Sequence, residues 1–551
     1  GDLGNGFSYD ASYQYGRVVF AQTYFNDFSV TRIGRALDVV TGPNGTPVCR
    51  SVLTGIDANC VPYDIFALGG VTQAALDYLQ TPGFSRGNTQ ETVATGSITA
   101  DLGEHGVQSP WSESGVAVNV GAEYRKERLE FSTDQAFSTG DLAGQGGATI
   151  GVTGEFDVKE LFTELQIPLI SDRPFFEQLE FRAGYRYSKY DVANNSFSTD
   201  TYKFEGEWAP VRDIRFRGSY NRAVRAPNIV ELFSAQAVGL SGSTDPCAGP
   251  TPAATQAQCV LADLPAAQYG KVPINPAGQY NSLLGGNPNL TPETADSITL
   301  GVVLQPRFLP RFALTVDYFD IRLDNAIGII GADTILAQCV ATGDPFFCGK
   351  INRDAAGSLW LTPNGFTVDT NTNVGGLSTR GVDVNASYTQ PLGGMGSVAF
   401  SFVGTWLDEL IVNPLADIKF NCAGFFGGQC GTPSPEWRHK FRVSYTHPSG
   451  IGLSAQWRYF SAVDNDLTSA DPDLAGAVNE GDRHFGSQSY IDLVLTARIG
   501  DHYSFRLGAN NILDRIPPIA VTPAPFGNGN TYPQVYDSLG RYIFAGVTLD
   551  F

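Results

Sequence analysis

The sequence has 551 residues and a formal net charge of −20, from 56 acidic and 36 basic side chains. An acidic chain disfavours nucleic acid as a partner, because phosphate backbones are bound by basic surfaces. The hydrophobic content of 42% excludes a disordered chain, and no apolar run approaches the roughly 18 residues that a membrane helix needs.

Alternation of apolar and polar residues recurs along the whole chain and predicts β-strands. Many of these stretches exceed the roughly 9–11 residues that a tilted strand needs to cross a membrane. In chain order, the sixteen predicted strands are about 7–30, 92–102, 115–132, 154–170, 177–191, 199–209, 213–225, 294–306, 311–324, 374–390, 396–410, 435–448, 450–463, 487–499, 503–513 and 540–551.

One face of these strands is apolar and aromatic, and the other carries charge. We expect the apolar face to meet lipid and the charged face to meet a wet lumen or a polar plug, since unpaired charge in a dry interior is costly. The candidates for the lumen face are Arg182, Arg186, Glu205, Glu207, Arg215 and Arg217. A wall of mutually paired charges, without ligand contact, is the preferred alternative role for them.

The connections between the strands alternate between short and long. Short periplasmic turns and long extracellular loops are typical of an outer-membrane β-barrel, so the predicted fold is all-β, a transmembrane antiparallel barrel. The long loops are near 38–90, 133–153, 227–292, 325–373, 411–434, 464–486 and 515–539.

Eight cysteines fall into four close pairs, all of them in the long loops. The spacing is wider than that of common zinc motifs, and no histidine lies near the pairs, so local disulfides are expected and free thiols or metal are less favoured. Disulfides indicate an oxidising compartment, which agrees with extracellular loops. The expected pairs are Cys49–Cys60, Cys247–Cys259, Cys339–Cys348 and Cys422–Cys430.

Four segments resemble the C-terminal barrel of TonB-dependent outer-membrane receptors and transporters. Residues 220–233 read YNRAVRAPNIVELF, 286–294 read GNPNLTPET, 379–384 read TRGVDV and 510–514 read NNILD. The terminal strand ends at Phe551, like the assembly signal of outer-membrane proteins, with an apolar face at Ile543, Ala545, Val547 and Leu549.

The resemblance implies a barrel of about 22 strands that surrounds an N-terminal plug. Residues 1–551 would then be the C-terminal portion of the barrel, holding strands 7–22, with the plug and six strands outside this chain. The implied partners are the TonB–ExbB–ExbD complex, reached through a plug and TonB box not in this chain, outer-membrane lipid and lipopolysaccharide, and an unknown small ligand. No cofactor and no nucleic acid are expected.

Aromatic residues in the long loops are the ligand-contact candidates, because exposed aromatic side chains often mark a contact surface. Packing around the disulfides or a place in the interface belt is an equally weighted alternative. The candidates are Phe346, Phe347, Trp360, Phe425, Phe426, Phe526, Tyr532 and Tyr536.

The sequence contains no motif of an enzyme. Phosphate-loop, HExxH, EF-hand and nucleophile-elbow patterns are all missing. The acidic loop 464–482 admits a calcium ion, but its spacing matches no known loop motif and a solvated loop is preferred, so no metal site is predicted.

The expected function is that of a TonB-dependent transporter in the Gram-negative outer membrane. It would bind a scarce substrate at extracellular loops and import it through a plug-gated barrel. The alternative is a passive porin of 16 strands, and a surface receptor or adhesin without transport is a third class. The substrate class, whether siderophore, oligosaccharide or peptide, stays open.

Overall fold

The computed structural model describes residues 1–145, 147–192, 195–415, 418–500, 502–521 and 529–550. Sixteen long strands dominate it, one at each predicted position. They are β1 (Phe7–Phe28), β2 (Gln80–Asp101), β3 (Ala117–Thr133), β4 (Val152–Arg173), β5 (Phe176–Val192), β6 (Asn195–Val211), β7 (Ile214–Arg225), β8 (Glu293–Leu304), β9 (Phe312–Asp324), β10 (Gly376–Pro391), β11 (Ser397–Leu415), β12 (Trp437–Thr446), β13 (Ile451–Phe460), β14 (Gln488–Ile499), β15 (Tyr503–Asn510) and β16 (Tyr542–Leu549).

Each of these strands pairs antiparallel with the next along the chain, which makes one continuous meander. The predicted all-β, antiparallel fold is confirmed. The short strand Asp2–Gly4 folds back on the start of β1. Among the described residues, no pairing joins β1 to β16, so the sheet has two open edges.

The clearest difference from the predicted boundaries is at β2, which begins at Gln80 and not near residue 92. Residues 80–91 contain proline, two glycines and a run of polar side chains, and lack the alternation that marks a strand with one apolar face. Strand β11 likewise runs to Leu415, beyond the predicted end at 410.

The long connections contain all eight α-helices of the described residues. The helices are α1 (Val30–Leu37), α2 (Arg50–Leu53), α3 (Gln73–Leu79), α4 (Gln135–Ser138), α5 (Ile229–Phe233), α6 (Gln256–Leu261), α7 (Ala332–Thr342) and α8 (Pro345–Cys348). Within the described ranges, none of them is long and apolar enough to cross a membrane.

The long loops fold into compact units with their own small sheets. A four-stranded sheet joins the β7–β8 loop to the β9–β10 loop. Its strands, in order, are Ala237–Ser241, Tyr280–Leu284, Phe366–Val368 and Ile351–Asn352. Smaller sheets pair Val39–Thr41 with Pro47–Cys49, Ile327–Gly328 with Thr372–Asn373, and Phe425–Phe426 with Val463–Asn465 and His484–Phe485. Ile418–Asn421 pairs with the end of β11.

Candidate functional site

The charged residues predicted to face a lumen lie on one face of the sheet. The strand register sets Arg182 opposite Glu205 and Arg217 opposite Glu207, and because side chains alternate along a strand, all six share that face. The opposite face is apolar. It exposes, for example, Phe204, Trp208, Phe216 and Leu300.

Every one of the six predicted lumen residues has a partner of opposite charge. The ion pairs are Arg182–Glu180 at 2.5 Å, Arg186–Glu160 at 2.7 Å, Lys203–Glu205 at 3.1 Å, Arg215–Glu207 at 3.0 Å and Arg217–Asp317 at 2.7 Å. This arrangement fits the alternative of a mutually paired wall. Contact of these residues with a plug or a substrate stays a prediction.

The polar face is uneven and contains hollows large enough for a small solute. One of about 460 Å³ is lined by Glu180, Arg182, Glu205, Glu207, Arg217 and Asp317, together with Ser219, Thr299 and Asp383. A second, of about 330 Å³, lies beside it and is lined by Asn119, Glu164 and Gln166. The face therefore offers charged and hydrogen-bonding groups to water or a solute.

A buried ion pair holds together two of the long loops, which lead from β7 to β8 and from β9 to β10. Arg353 donates to both carboxylate oxygens of Asp245, at 2.6 and 2.9 Å, and the two side chains are 1% and 8% exposed. Arg353 also donates to the carbonyl oxygens of Ala262 and Gly357. Around the pair lies an apolar core that includes Leu264, Ile335, Leu336 and Leu359.

A second polar contact in this loop core joins Tyr280 to Asp333. The Tyr280 hydroxyl donates to Asp333 Oδ1 at 2.7 Å, and Ser243 donates to the same carboxylate through its backbone N and its hydroxyl. Burial and the neighbouring carboxylate raise the pKa of Tyr280. Burial alone would raise the pKa of Asp333, but the donated hydrogen bonds outweigh it and the net pKa is lowered.

A third group of loop residues packs at the end of strands β11 to β16. The rings of Phe426 and Phe485 stack with centroids 4.0 Å apart, and Tyr532 meets Phe426 edge-on at 5.8 Å. Arg458 of β13 binds Asp492 of β14 at 2.8 Å and Asp537 of the last loop at 2.5 Å. The last loop is therefore tied directly to the polar face.

The predicted disulfides all form. Cys49–Cys60, Cys247–Cys259, Cys339–Cys348 and Cys422–Cys430 are bonded. Each lies in a long loop, and six of the eight cysteines are buried in a loop core. The bonds therefore hold the loop units and not the barrel wall.

The loop aromatics predicted to contact a ligand divide into two groups. Phe347, Phe426, Tyr532 and Tyr536 are buried in loop cores, so their packing matches the structural alternative. Phe346 is 48% exposed, and Trp360 and Phe425 are half-buried. Ligand contact by these three stays a prediction. Phe526 and Phe551 lie outside the described residues.

The acidic loop shows no arrangement that would hold a metal ion. His484 contacts Asp464 at 2.7 Å, and Asp466 Oδ2 accepts from the backbone N of Gln429 and Cys430. Across the described ranges, no three metal-ligating side chains come together. Sequence reasoning missed Arg353–Asp245, Tyr280–Asp333 and Arg458–Asp537, because each pair joins residues 53 to 108 positions apart and no local pattern marks it.

The family model described as TonB dependent receptor-like, beta-barrel matches residues 2–512. The chain belongs to this family. No curated protein sequence matches it significantly.

Solved structures of two bacterial receptors share the fold at low sequence identity. A point mutant of the ferric enterobactin receptor PfeA from Pseudomonas aeruginosa, in complex with enterobactin, has a TM-score of 0.57 at 13% identity, over 98% of this chain and 60% of that chain. The siderophore receptor PirA from Acinetobacter baumannii has a TM-score of 0.50 at 14% identity, over 86% of this chain and 55% of that chain. The chain thus spans 55–60% of the length of these two receptors.

Two of the four family-like motifs of this TonB-dependent receptor chain lie where loops leave the sheet. Arg225 of the RAPNIVELF segment pairs with Glu293 of the GNPNLTPE segment and with Glu231. Asn228 caps α5 in a reciprocal capping box with Glu231. The backbone N of Ile327 donates to Glu293 at 2.7 Å. Three loop segments are therefore fixed to one another at the end of β7 and β8.

The other two motifs hold similar structural places. In TRGVDV, a Cβ on Gly381 would lie 2.2 Å from the Trp406 carbonyl oxygen, so only glycine fits at this bulge between β10 and β11. In NNILD, the backbone N of Asn511 donates to Asp492. The Asn511 side chain donates to the backbone carbonyl oxygen of Arg515 and accepts from the backbone N of Arg515. This turn connects β15 to the last loop.

Proposed function

We propose that this chain is the barrel portion of a TonB-dependent transporter of the Gram-negative outer membrane. It binds a scarce substrate at extracellular loops and passes it along the polar face once a plug moves. The observation that supports this proposal most is the two-sided sheet: one face is apolar, and the other carries polar side chains joined in ion pairs. Folded loops lie at one end of this sheet, and the chain belongs to the TonB-dependent receptor family.

We infer an orientation from the membrane placement of the family. The loops that carry the four disulfides would lie outside the cell, where disulfides persist, and the short turns would face the periplasm. Aromatic residues at both ends of the apolar face, such as Trp208 near a short turn and Trp406 and Trp457 near long loops, suit the two membrane interfaces. Lipid and lipopolysaccharide would contact this face.

Energy would come from the TonB–ExbB–ExbD complex acting on a plug. The reaction is binding and gated passage, with no covalent step. Because the similar receptors are named for ferric enterobactin and for siderophores, we propose a ferric siderophore as the first substrate to test. Trp360, Phe346 and Phe425 are the proposed loop contacts.

The passive porin of 16 strands is less well supported. A barrel in lipid must be closed, because an open sheet edge leaves backbone groups without hydrogen bonds. In the described part of the chain, β1 and β16 are not paired with each other, so these strands alone do not make a closed barrel.

The test is uptake of radiolabelled ferric siderophores by cells that carry the full-length gene as their one receptor. We expect uptake of at least one of a panel of siderophores, with loss of that uptake when tonB is deleted. Uptake that continues unchanged without TonB would contradict active transport and favour the porin. If the cells take up no siderophore but grow on an oligosaccharide or peptide in a TonB-dependent way, that compound would be the substrate and the siderophore would be excluded.

A further inference from the structure

The apolar face of the sheet ends, toward the long loops, in a band of charged side chains. On β1 and β3 this band follows a row of exposed tyrosines. Tyr13 and Tyr15 lie on β1, and Tyr124 of β3 registers with Tyr13 through Ala94. Because alternate side chains of a strand share a face, the charges that continue this row lie on the outside of the wall. A plug against the polar face does not cover them.

Six bases occupy the outer band on strands β1 to β5. Three of the eight lysines of the chain are among them, in a protein whose net charge is −20. Among the described residues of these strands, four acids share the band, namely Glu130, Glu155, Asp157 and Asp191. The bases are in excess, and we refer to them as the outer basic patch: Arg17, Arg86, Lys126, Arg128, Lys159 and Lys189.

Half of the outer basic patch is free of ion pairs. The pairs that do form are Lys126–Glu155 at 3.2 Å, Arg128–Glu130 at 2.5 Å, Lys159–Asp157 at 3.0 Å and Lys159–Asp191 at 3.1 Å. Arg17, Arg86 and Lys189 form none in the part of the chain that the structure describes, and all three are exposed. These three bases are therefore available to an anion from outside the protein.

The strand register brings like charges of the patch together. Lys159 of β4 lies directly opposite Lys189 of β5. Arg17 and Arg128 lie in one row across β1, β2 and β3, with Gln90 between them, so their Cα atoms are about 10 Å apart. Like charges that face each other across a strand pair are destabilising. An anion bound between them removes this repulsion.

We propose that the outer basic patch binds phosphate groups on the sugar headgroup of a glycolipid, and that this lipid is the lipopolysaccharide of the outer leaflet. The inference rests on the proposed function, because it requires the long loops to face the cell exterior. Exposed tyrosines mark the level where headgroups meet acyl chains. Below them, Val120 and Leu161 are exposed on the same face, so acyl chains have an apolar surface next to the patch.

The adjoining sector of the outer band has the opposite balance of charge. On the described strands β6 to β9, two bases, Arg222 and Arg322, share the band with four acids. Each of the two bases forms an ion pair, with Asp296 and Asp320 respectively. The acids of this sector are Asp200, Asp296, Asp320 and Asp324. Phosphate is repelled there, so the site is confined to β1 to β5 and is not a general property of the wall.

The experiment measures binding of lipid A that carries two phosphate groups to the full-length protein in non-ionic detergent, by native mass spectrometry over a lipid titration. The patch variant is Arg17→Gln/Arg86→Gln/Lys189→Gln, which breaks no ion pair. The control variant, Lys271→Gln/Lys419→Gln/Arg483→Gln, removes the same charge from exposed positions in the long loops. We expect the patch variant to bind lipid A at least tenfold more weakly than wild type, and the control to bind within twofold.

Two further measurements identify the group that is bound. Lipid A with only one phosphate group should bind the wild type more weakly than lipid A with two, and the patch variant should lose this preference. The charge-conserving variant Arg17→Lys/Arg86→Lys/Lys189→Arg should bind as wild type does, which separates loss of charge from loss of fold. Binding should also weaken as salt screens the charges.

Equal affinity of the patch and control variants for lipid A would overturn the proposal. Complete displacement of lipid A by millimolar glucosamine 6-phosphate would also overturn it, because the site would then take a soluble sugar phosphate. Transport is scored separately, by tonB-dependent uptake in wild-type cells. A failure of uptake contradicts the transporter and leaves the lipid A result intact, whereas normal uptake with no effect of the patch variant on lipid A binding removes the lipid site alone.

Discussion

The guanidinium of Arg217 on β7 crosses the intervening strand β8 and binds the carboxylate of Asp317 on β9 through two hydrogen bonds, at 2.8 and 2.7 Å. The crossing depends on Gly301, which lies between them in the register. A Cβ at this position would lie 1.9 Å from Asp317 Oδ1 and 3.0 Å from Arg217 Nε. One missing side chain thus lets two charges on non-adjacent strands meet on the polar face.

We therefore predict that Gly301→Val destabilises the barrel by about 1–3 kcal/mol, the usual cost of forcing atoms into a filled space. Urea unfolding in lipid vesicles, followed by tryptophan fluorescence, measures it. Gly184→Val is the matched control. Gly184 of β5 lies on the same polar face of the sheet as Gly301, and a Cβ at this position would meet no atom closer than 3.9 Å. If both variants unfold at the same urea concentration, the space at Gly301 has no structural role.

The buried Arg353–Asp245 pair leads to a prediction about the loops alone. Asp245→Ala leaves a buried guanidinium without its partner, which costs roughly 3–5 kcal/mol. We expect hydrogen exchange in residues 237–284 and 351–368 to speed up accordingly, while exchange in the barrel strands is unchanged. Asp38→Ala, which breaks the exposed pair with Arg50, should change protection by less than about 1 kcal/mol.

Replacing both Arg353 and Asp245 distinguishes the effect of their charges from the effect of their side-chain volumes on the stability of the loops. Arg353→Met/Asp245→Leu removes both charges and keeps much of the side-chain volume, so it should recover most of the protection that Asp245→Ala loses. Failure of the double variant to recover protection would mean that the bonds from Arg353 to the Ala262 and Gly357 carbonyls matter more than the ion pair.

Asp333 should make the same loop core sensitive to acid. Its pKa in the folded protein is lowered from the ordinary value of 3.8. A carboxylate of this kind stabilises the fold fully above its unfolded pKa, and that contribution is lost as the pH falls through the folded pKa. Exchange protection of the loop core, corrected for intrinsic rates, should therefore be constant from pH 7 to about 5 and decrease below about 4.

Asp333→Asn tests this assignment. The variant should lose protection at neutral pH and show a shallower decrease in acid, whereas Asp473→Asn, at an exposed position, should behave as wild type. An acid decrease as steep in Asp333→Asn as in wild type would assign the effect to another carboxylate. Tyr280→Phe, which removes one of the donors to Asp333, should give an intermediate profile.

The strands could be predicted because each membrane-crossing segment has one apolar face. The alternation is written into the sequence, as in Phe204, Gly206 and Trp208 against Glu205 and Glu207 on β6. The first half of β2 was missed for the same reason. Residues 80–91 pair with β1 through backbone hydrogen bonds, but their side chains lack an apolar face, so no periodic signal exists.

The loop cores could not be predicted, because burial there depends on segments distant in sequence. Phe426 is 1% exposed only because Phe485 and Tyr532, from two other loops, pack against it. Nothing in the local sequence distinguishes it from the neighbouring Phe425, which stays half-buried. Disulfide partners, by contrast, lie 8 to 12 residues apart, and this local spacing made them predictable.

The Cys339–Cys348 bond joins α7 to α8 in the loop core, where Cys339 is fully buried. A cross-link that closes so short a loop removes about 2.5–3 kcal/mol of unfolded-state entropy in the chain-entropy model. We predict that Cys339→Ala/Cys348→Ala lowers the free energy of opening of residues 332–348, as measured by hydrogen exchange, by about that amount. The second measurement is the tonB-dependent uptake of the cells. The matched variant Cys49→Ala/Cys60→Ala should affect only residues 30–79, since its bond belongs to a separate core. Loss of protection in both regions from either variant would show that the loop cores unfold together, and would contradict the assignment of each disulfide to its own unit.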